Sequence, residues 1–239
     1  MLIATTVHAD PAIARGDRAY ARAGGLFYLL TFVSSIPALL MLSPILNDPG
    51  YILSAGSDNQ ILWACLLDVT NALACVGSAV AVYPVTKRVS QALALGFVTT
   101  RLMEAGVILV GVIALLSVVV LRQHGADGGL DPASLTVTGH ALVIMRDWTF
   151  LFGPGFMASF NALMFATLLF RSGLVPRGIP LMGLIGAPLL LAANLLTFFG
   201  LNTQTGLWTM LVTLPVAAWE LSVGIYLTVK GFRTVAATA

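Results

Sequence analysis

The amino-acid sequence predicts an all-α membrane protein, a bundle of six transmembrane helices with its N-terminus and C-terminus both cytoplasmic. Hydrophobic residues make up 58% of the 239 residues and charged residues only 9%, whereas soluble domains carry about 25% charged residues. The apolar residues are gathered into six segments. Each segment is long enough to cross a hydrocarbon core about 30 Å thick.

The first three spans are separated by short polar connections. Residues 1–22 form a polar cytoplasmic tail, and the first span covers residues 24–46. Turn-forming Asn, Asp, Pro, Gly and Ser residues at 47–59 end it. The second span follows at residues 60–83, and the third, at residues 91–121, is the longest.

The last three spans complete one transmembrane domain, which covers residues 23–232. These spans occupy residues 148–170, 179–199 and 207–229. A short cytoplasmic tail, residues 233–239, follows.

Two features of the fourth span leave alternatives open. Asp131 and Pro132 suit the cap and first turn of a helix. Residues 131–147 therefore form either a separate helix on the outer surface or an extension of this span. Further on, Gly153-Pro154-Gly155 predicts either a proline kink, which is commoner, or a break of the kind found in the discontinuous helices of transporters.

The positions of the basic residues predict the orientation. Cytoplasmic loops of membrane proteins carry an excess of Lys and Arg. Alternating six spans with both termini inside places nine of the twelve basic residues on the cytoplasmic side: Arg15, Arg18, Arg22, Lys87, Arg88, Arg171, Arg177, Lys230 and Arg233.

Several polar residues interrupt the apolar spans and predict a polar centre in the membrane. The second span places Asp68 and Asn71 on the same helical face as Cys75 and Ser78. A charged residue deep in a membrane helix costs about 2.5–3.5 kcal/mol, so it needs polar partners. The candidate members of the centre are Asp68, Asn71, Arg101, Glu104, Asn161, Asn194 and Glu220.

These residues allow a structural and a functional interpretation. In the first, Arg101 is neutralised by Glu104, Asp68 or Glu220, and the asparagines form hydrogen bonds between helices. In the second, the acids line a cavity or an ion path. Three carboxylates against one guanidinium leave at least one acid without a cationic partner, which favours the second interpretation. Arg146 and Asp147 are placed at or just below the outer interface.

Other chemistries find little support in the sequence. The three histidines, His8, His124 and His140, form no metal-binding pair, and no metal site or cofactor is predicted. No nucleophile elbow or phosphate-binding loop occurs, and no catalytic residue is predicted. The absence of a basic run argues against nucleic acid as a partner. Membrane lipids are the predicted partners, together with a small-molecule or proton ligand.

Two blocks of residues carry a family resemblance. The first contains Tyr83-Pro84, Lys87-Arg88 and the pair Arg101 and Glu104. The second contains Gly153-Pro154-Gly155, the loop Arg171-Ser172-Gly173-Leu174-Val175-Pro176-Arg177, and Gly183 with Gly186. From about residue 23 to 232 the chain resembles the uncharacterised bacterial membrane proteins grouped as domain of unknown function 4386. This resemblance implies a bacterial inner-membrane protein and brings no agreed activity or site residues.

The loop of the second block predicts a tight turn between two helices at the cytoplasmic surface. Arg171 and Arg177 flank it and are candidate contacts for lipid headgroups. For the protein as a whole, the leading hypothesis is small-molecule or proton-linked transport or binding through the polar centre. The alternative is a non-catalytic partner subunit or sensor whose buried charges are structural. An intramembrane enzyme is the least favoured class.

Overall fold

The computed structural model describes residues 11–48, 50–54, 58–126, 131–204 and 206–233, and these residues contain helices and no strand. Two short irregular helices accompany the α-helices, a 3-10 turn at Tyr51–Leu53 and a π-helical turn at Leu151–Met157. The α-helices are α1 (Pro11–Met41), α2 (Ser43–Asn47), α3 (Asp58–Thr86), α4 (Gln91–Ala126), α5 (Pro132–Phe150), α6 (Ala158–Ser172), α7 (Gly178–Phe198) and α8 (Leu207–Val229).

Six helical segments of the described chain are long and apolar enough to cross a membrane, which confirms an all-helical, multi-pass membrane protein. The segments are Gly16–Met41, Asp58–Thr86, Gln91–Gly125, Pro132–Ser172, Gly178–Phe198 and Leu207–Val229. The first four are longer than the predicted spans. The first ends at Met41 and not at residue 46 as predicted, because Pro44 lies in the first turn of the separate short helix α2.

Helix α1 begins at Pro11, so residues 11–22 of the predicted tail are helical, and residues 1–10 lie outside the described chain. Residues 11–22 are rich in Ala and Arg, which are strong helix formers, and Pro11 suits a first helical turn. The C-terminal tail lies outside the described chain from residue 234 onward.

The fourth span is one long helical segment, because α5, the π-helical turn and α6 follow each other without a gap. Residues 132–147 therefore extend the span. The Asp131 carboxylate caps α5 by accepting hydrogen bonds from the N–H groups of Ala133 and Ser134 at 3.0 and 3.1 Å. Hydrogen bonding from Ser134 and Ala133 lowers the pKa of Asp131. Pro154 lies within the π-helical turn, which widens the helix without breaking the chain.

The six spans form a closed ring. Helix α1 packs against α3 and α8, while α4 packs against α3, α5 and α6, and α7 joins α6 to α8. At one end of the ring, Arg88 pairs with Asp17 at 2.9 Å and the N–H of Arg233 donates to the carbonyl of Leu174 at 2.8 Å. We call this the terminal end, because the first and last described helices begin and finish there.

Several polar contacts hold the opposite end, which we call the distal end. Arg122 of α4 pairs with Asp58 of α3 at 2.6 Å. The side chain of Gln204 donates to the carbonyl of Asp147 at 3.0 Å. The ring is therefore fastened at both ends by contacts between residues far apart in sequence.

An aromatic group fills the centre of the ring in its terminal half. Phe165 stacks on Phe97 at 4.7 Å and on Tyr28 at 5.8 Å between ring centroids, and it meets Trp219 edge to face at 5.9 Å. All four side chains are buried. We call these four residues the aromatic floor.

Small residues let the helices of the terminal half approach closely. A Cβ atom added at Gly25 of α1 would lie 2.6 Å from the backbone nitrogen of Thr228 in α8. This backbone contact has no room for a side chain. Close packing through small residues is a common way to associate helices in membranes, where no hydrophobic force drives them together.

Candidate functional site

A cavity of about 300 Å³ lies within the ring, on the distal side of the aromatic floor. Its walls come from α1, α3, α4, α5, α6, α8 and the π-helical turn. Five charged residues line it: Asp68, Arg101, Glu104, Arg146 and Glu220. Asn71 and Cys75 of α3 line it as well, so the polar face predicted for the second span is turned toward the cavity.

The charged residues lie at two depths. On α3, Cys75 contacts Arg101 at 3.5 Å, and Asp68 lies two turns closer to the distal end, about 10 Å away at 1.5 Å per residue. Arg146 is level with Gly111 of α4, since a Cβ on Gly111 would lie 3.7 Å from the Arg146 Cγ. We call Arg101, Glu104, Glu220 and Asn161 the central cluster, and Asp68 with Arg146 the distal pair.

Arg101 is the hub of the central cluster. Its Nη1 donates to Glu104 Oε2 at 3.1 Å, and its Nη2 donates to Glu220 Oε1 at 2.7 Å. The guanidinium also lies over the Tyr28 ring, 4.9 Å from the centroid. The Arg101 side chain is only 3% exposed, and its Nε has no hydrogen-bond partner among the described residues. These contacts join α4 to α8 across the ring and place the guanidinium on the aromatic floor.

Glu104 and Glu220 are held differently. Glu104 is buried and also accepts a hydrogen bond from the Asn161 amide of α6, on the same oxygen that Arg101 contacts. Glu220 is the most exposed of the three charged members, at 18% of its side chain, and it bonds to Arg101 through one oxygen. The two acids face one guanidinium, so the cluster carries an excess of negative charge when both are ionised.

The distal pair consists of opposite charges that do not touch. The Arg146 side chain is 9% exposed, and the nearest carboxylate oxygen in the described chain, on Asp147, is 3.7 Å away, too far for a good hydrogen bond. Its guanidinium lies over the Phe150 ring, 4.6 Å from the centroid. Asp68 forms no hydrogen bond or ion pair with any described residue, although its charge is close enough to Arg146 for the two to attract each other.

The structure brings together five of the seven residues predicted for the polar centre: Asp68, Asn71, Arg101, Glu104 and Glu220 line the cavity. Asn161 joins them through Glu104. Asn194 lies apart, packed against Gly155 of the π-helical turn, and its amide nitrogen has no hydrogen-bond partner among the described residues. Within the same residues, no group of three or more His, Cys, Asp or Glu is arranged to hold a metal ion.

Arg146 is the charged residue of the cavity lining that the sequence analysis did not place in the polar centre. It was placed at the outer interface because the fourth span was predicted to begin at residue 148. With the helix beginning at Pro132, Arg146 lies about 21 Å along it at 1.5 Å per residue. The sequence contained one signal for this position. Arg146 lies fourteen residues after Pro132, where the helix begins, and it is a basic residue on the side of the membrane that carries few of them.

The loop between α6 and α7 is the tight turn predicted from its sequence. Gly173 ends α6 in the left-handed conformation, with φ of 67°, and its N–H donates to the Leu169 carbonyl at 3.1 Å. Val175 is buried, while Arg171 and Arg177 are exposed at the terminal end. The Arg177 guanidinium lies 5.8 Å from the centroid of the Phe170 ring.

The helical ring and its charged cavity define a multi-pass membrane protein with a polar centre. Residues 23–231 match the family described as a domain of unknown function (DUF4386), so the chain belongs to that family and the resemblance is confirmed. Neither the curated proteins nor the solved structures include a match to it.

Proposed function

We propose that the protein binds a small polar molecule in the cavity and moves it across the membrane together with protons that exchange at the cavity acids. The observation that carries this proposal is a cavity of about 300 Å³ that reaches Arg101, Glu104 and Glu220. Ligand sites typically begin at about this volume. Ionisable residues within membrane segments concentrate along substrate and proton paths.

The cavity is closed toward the terminal end by packed aromatic side chains, as expected for one state of a transporter. The aromatic floor fills the ring between the central cluster and the terminal end. Ile36 and Leu39 of α1 line the cavity in its distal half and are exposed. The exposed Ile36 and Leu39 leave the cavity incompletely enclosed on the side of α1, and in this proposal a bound molecule is stopped at the floor.

Glu220 provides a link between proton exchange and helix movement. Its contact with Arg101 at 2.7 Å joins α8 to α4 across the ring. Protonation of Glu220 turns its ion pair with Arg101 into a hydrogen bond between the guanidinium cation and a neutral carboxyl group, which is weaker because the attraction between opposite charges is lost. The link between the two helices then weakens. Asp68, which has no partner in the described chain, is the second candidate for proton exchange.

Uptake into proteoliposomes tests the proposal. The purified protein is given a radiolabelled mixture of amino acids, short carboxylates and amines under an imposed pH gradient. The wild type is expected to accumulate at least one component in a pH-dependent way. Asp68→Asn and Glu220→Gln are expected to remain folded and lose the pH dependence. The control Asp17→Asn, at the terminal end, is expected to keep it. No accumulation by the wild type would contradict the proposal.

A non-catalytic partner subunit or sensor is the second candidate, and the central cluster favours it. Arg101 is paired with two carboxylates and packed on an aromatic ring, which is what a structural network requires. Under this alternative, Glu220→Gln would yield aggregated protein in size-exclusion chromatography, because Glu220 belongs to the network. Under transport, the same variant would elute as the wild type does and would be altered only in uptake.

We also propose that the terminal end faces the cytoplasm, in a bacterial inner membrane. The basic residues of the loops at this end, including Arg88, Arg171 and Arg177, support it through the positive-inside rule. A cysteine placed at Arg177 is expected to react with a membrane-impermeant reagent only in inverted vesicles. Reaction in intact spheroplasts would reverse the orientation.

Arg171 and Arg177 are proposed contacts for anionic lipid headgroups. Both are exposed next to the tight turn between α6 and α7, at the expected depth of the headgroups. Replacing both by Gln is expected to reduce the anionic phospholipid that co-purifies with the protein. An unchanged lipid content would contradict this contact.

A further inference from the structure

The distal pair restricts the chemistry of the ligand. The Arg146 guanidinium is more than nine-tenths buried, and the long contact to Asp147 leaves most of its five N–H groups unused. A buried guanidinium without close partners is expensive. The group that best satisfies it is a carboxylate or a phosphate, which can accept two parallel hydrogen bonds.

Asp68 requires a hydrogen-bond donor from a ligand in the same cavity, whereas Arg146 requires an acceptor. Its carboxylate is an acceptor only when ionised, and no described residue donates to it. Arg146 is the cation whose charge acts on it, yet the two side chains remain too far apart for an ion pair. A ligand group between them must therefore accept hydrogen bonds on the Arg146 side and donate them on the Asp68 side.

With all three acids ionised, the charge balance of the cavity disfavours a ligand that carries only one kind of charge. The cavity is lined by three carboxylates and two guanidinium groups. A plain anion would satisfy Arg146 and increase the negative excess, while a plain cation would leave Arg146 unpaired. A molecule that carries both charges pairs with Arg146 and leaves the net charge of the cavity unchanged.

We infer that the ligand is a small zwitterion with an apolar body, whose carboxylate is bound by Arg146 and whose ammonium group is bound by Asp68. Phe32, Ile108 and Phe150 line the cavity beside this pair and offer an apolar surface to the rest of the molecule. The inference rests on the proposed function in that the cavity must bind a small molecule.

Three probes with a similar aliphatic chain test the assignment on the full-length protein in nanodiscs. Norvaline carries both charged groups, pentanoate only the carboxylate and butylamine only the ammonium. Binding is followed by isothermal titration calorimetry and by the shift in melting temperature. Norvaline is expected to bind at least about tenfold more tightly than the other two, because each of them leaves a buried charge without its hydrogen bonds. Equal or tighter binding of pentanoate or butylamine, or no binding of norvaline, would overturn the assignment.

Variants of the distal pair give a second, independent readout. Arg146→Gln is expected to weaken norvaline binding at least about tenfold and to leave butylamine as the better probe. Asp68→Asn is expected to shift the preference to pentanoate instead. The control Asp17→Asn alters a carboxylate at the terminal end, which pairs with Arg88 and lies outside the cavity, and is expected to bind norvaline as the wild type does. Unchanged norvaline binding by Arg146→Gln would contradict the inference.

The uptake assay separates this inference from the proposed function. If amines or carboxylates accumulate and amino acids do not, the proposed transport function is supported and the assignment of a zwitterionic ligand is wrong. If nothing accumulates, transport fails, and norvaline binding in nanodiscs then shows whether the ligand assignment survives as simple binding.

Discussion

The central cluster and the distal pair bury the same kinds of charged side chain in one cavity, and they satisfy them in opposite ways. In the central cluster, Arg101 contacts two carboxylates at 3.1 and 2.7 Å. In the distal pair, Asp68 and Arg146 face the cavity without an ion pair between them. The first arrangement holds helices together, and the second leaves charge available to a ligand. Burial alone therefore does not distinguish structural from functional charges in a membrane.

Removing the hub of the central cluster should have the largest effect on stability. Arg101→Gln leaves Glu104 and Glu220 close together without a cation. Breaking a buried ion pair in this way costs about 3–5 kcal/mol. Unfolding in mixed detergent micelles measures the loss. A decrease below about 1 kcal/mol would show that the cluster does not hold the ring together.

Removing one acid of the cluster should have an intermediate effect. Glu220→Gln keeps a hydrogen-bond acceptor for Arg101, and Glu104 still neutralises the guanidinium. We expect a loss of about 1–2 kcal/mol, in the range of a hydrogen bond to a charged group. The same unfolding assay applies, and a loss as large as that of Arg101→Gln would mean that Glu104 does not compensate.

Variants of the distal pair should affect ligand binding more than stability, the reverse of what is expected for the central cluster. Arg146→Gln removes a buried guanidinium that makes no close hydrogen bond, so in the absence of ligand we expect the free energy of unfolding to stay the same or to rise. Norvaline should stabilise the wild type and fail to stabilise this variant. A large loss of stability without ligand, matching that of Arg101→Gln, would place Arg146 in the structural network and remove the distinction between the two sites.

Asp131 provides a reference outside both sites and should show the smallest effect. Its pKa is lowered in the folded protein by hydrogen bonds from Ser134 and Ala133. The stabilisation is therefore present above the unfolded pKa of about 3.9 and is lost as the pH falls through the lower folded value. Asp131→Ala should be slightly less stable than the wild type at neutral pH, and the difference should vanish in strong acid. A difference that grows on acidification would contradict the capping role.

The helices and the central cluster could be predicted because they depend on local patterns and depth. Arg101 and Glu104 are one helical turn apart, and Glu220 lies near mid-depth in its own span, so the sequence names the two acids with Asp68 as candidate partners of Arg101. The structure gives Glu104 and Glu220 as the partners. The approach of Asp68 to Arg146 depends on where α5 begins and on how α3 and α5 pack around α4. No local signal specifies that packing. The π-helical turn at Leu151–Met157 was likewise hidden, because Gly153-Pro154-Gly155 is compatible with a kink, a break or a wider turn.

The aromatic floor also escaped the sequence analysis. Tyr28, Phe97, Phe165 and Trp219 come from four different helices, and each alone is an ordinary aromatic residue in an apolar span. Only the folded ring brings them together beneath Arg101. Their position decides that the cavity is closed toward the terminal end.

Thiol labelling tests most directly whether water reaches the central cluster through the cavity. Ala158 lines the cavity, and Ala162, one turn further along α6, lies in the packed core. In a background with Cys65→Ala and Cys75→Ser, Ala158→Cys should react with a small water-soluble methanethiosulfonate, and Ala162→Cys should not react while the protein is folded. If the two positions react equally, or if neither reacts, the centre of the ring is not a water-accessible binding cavity.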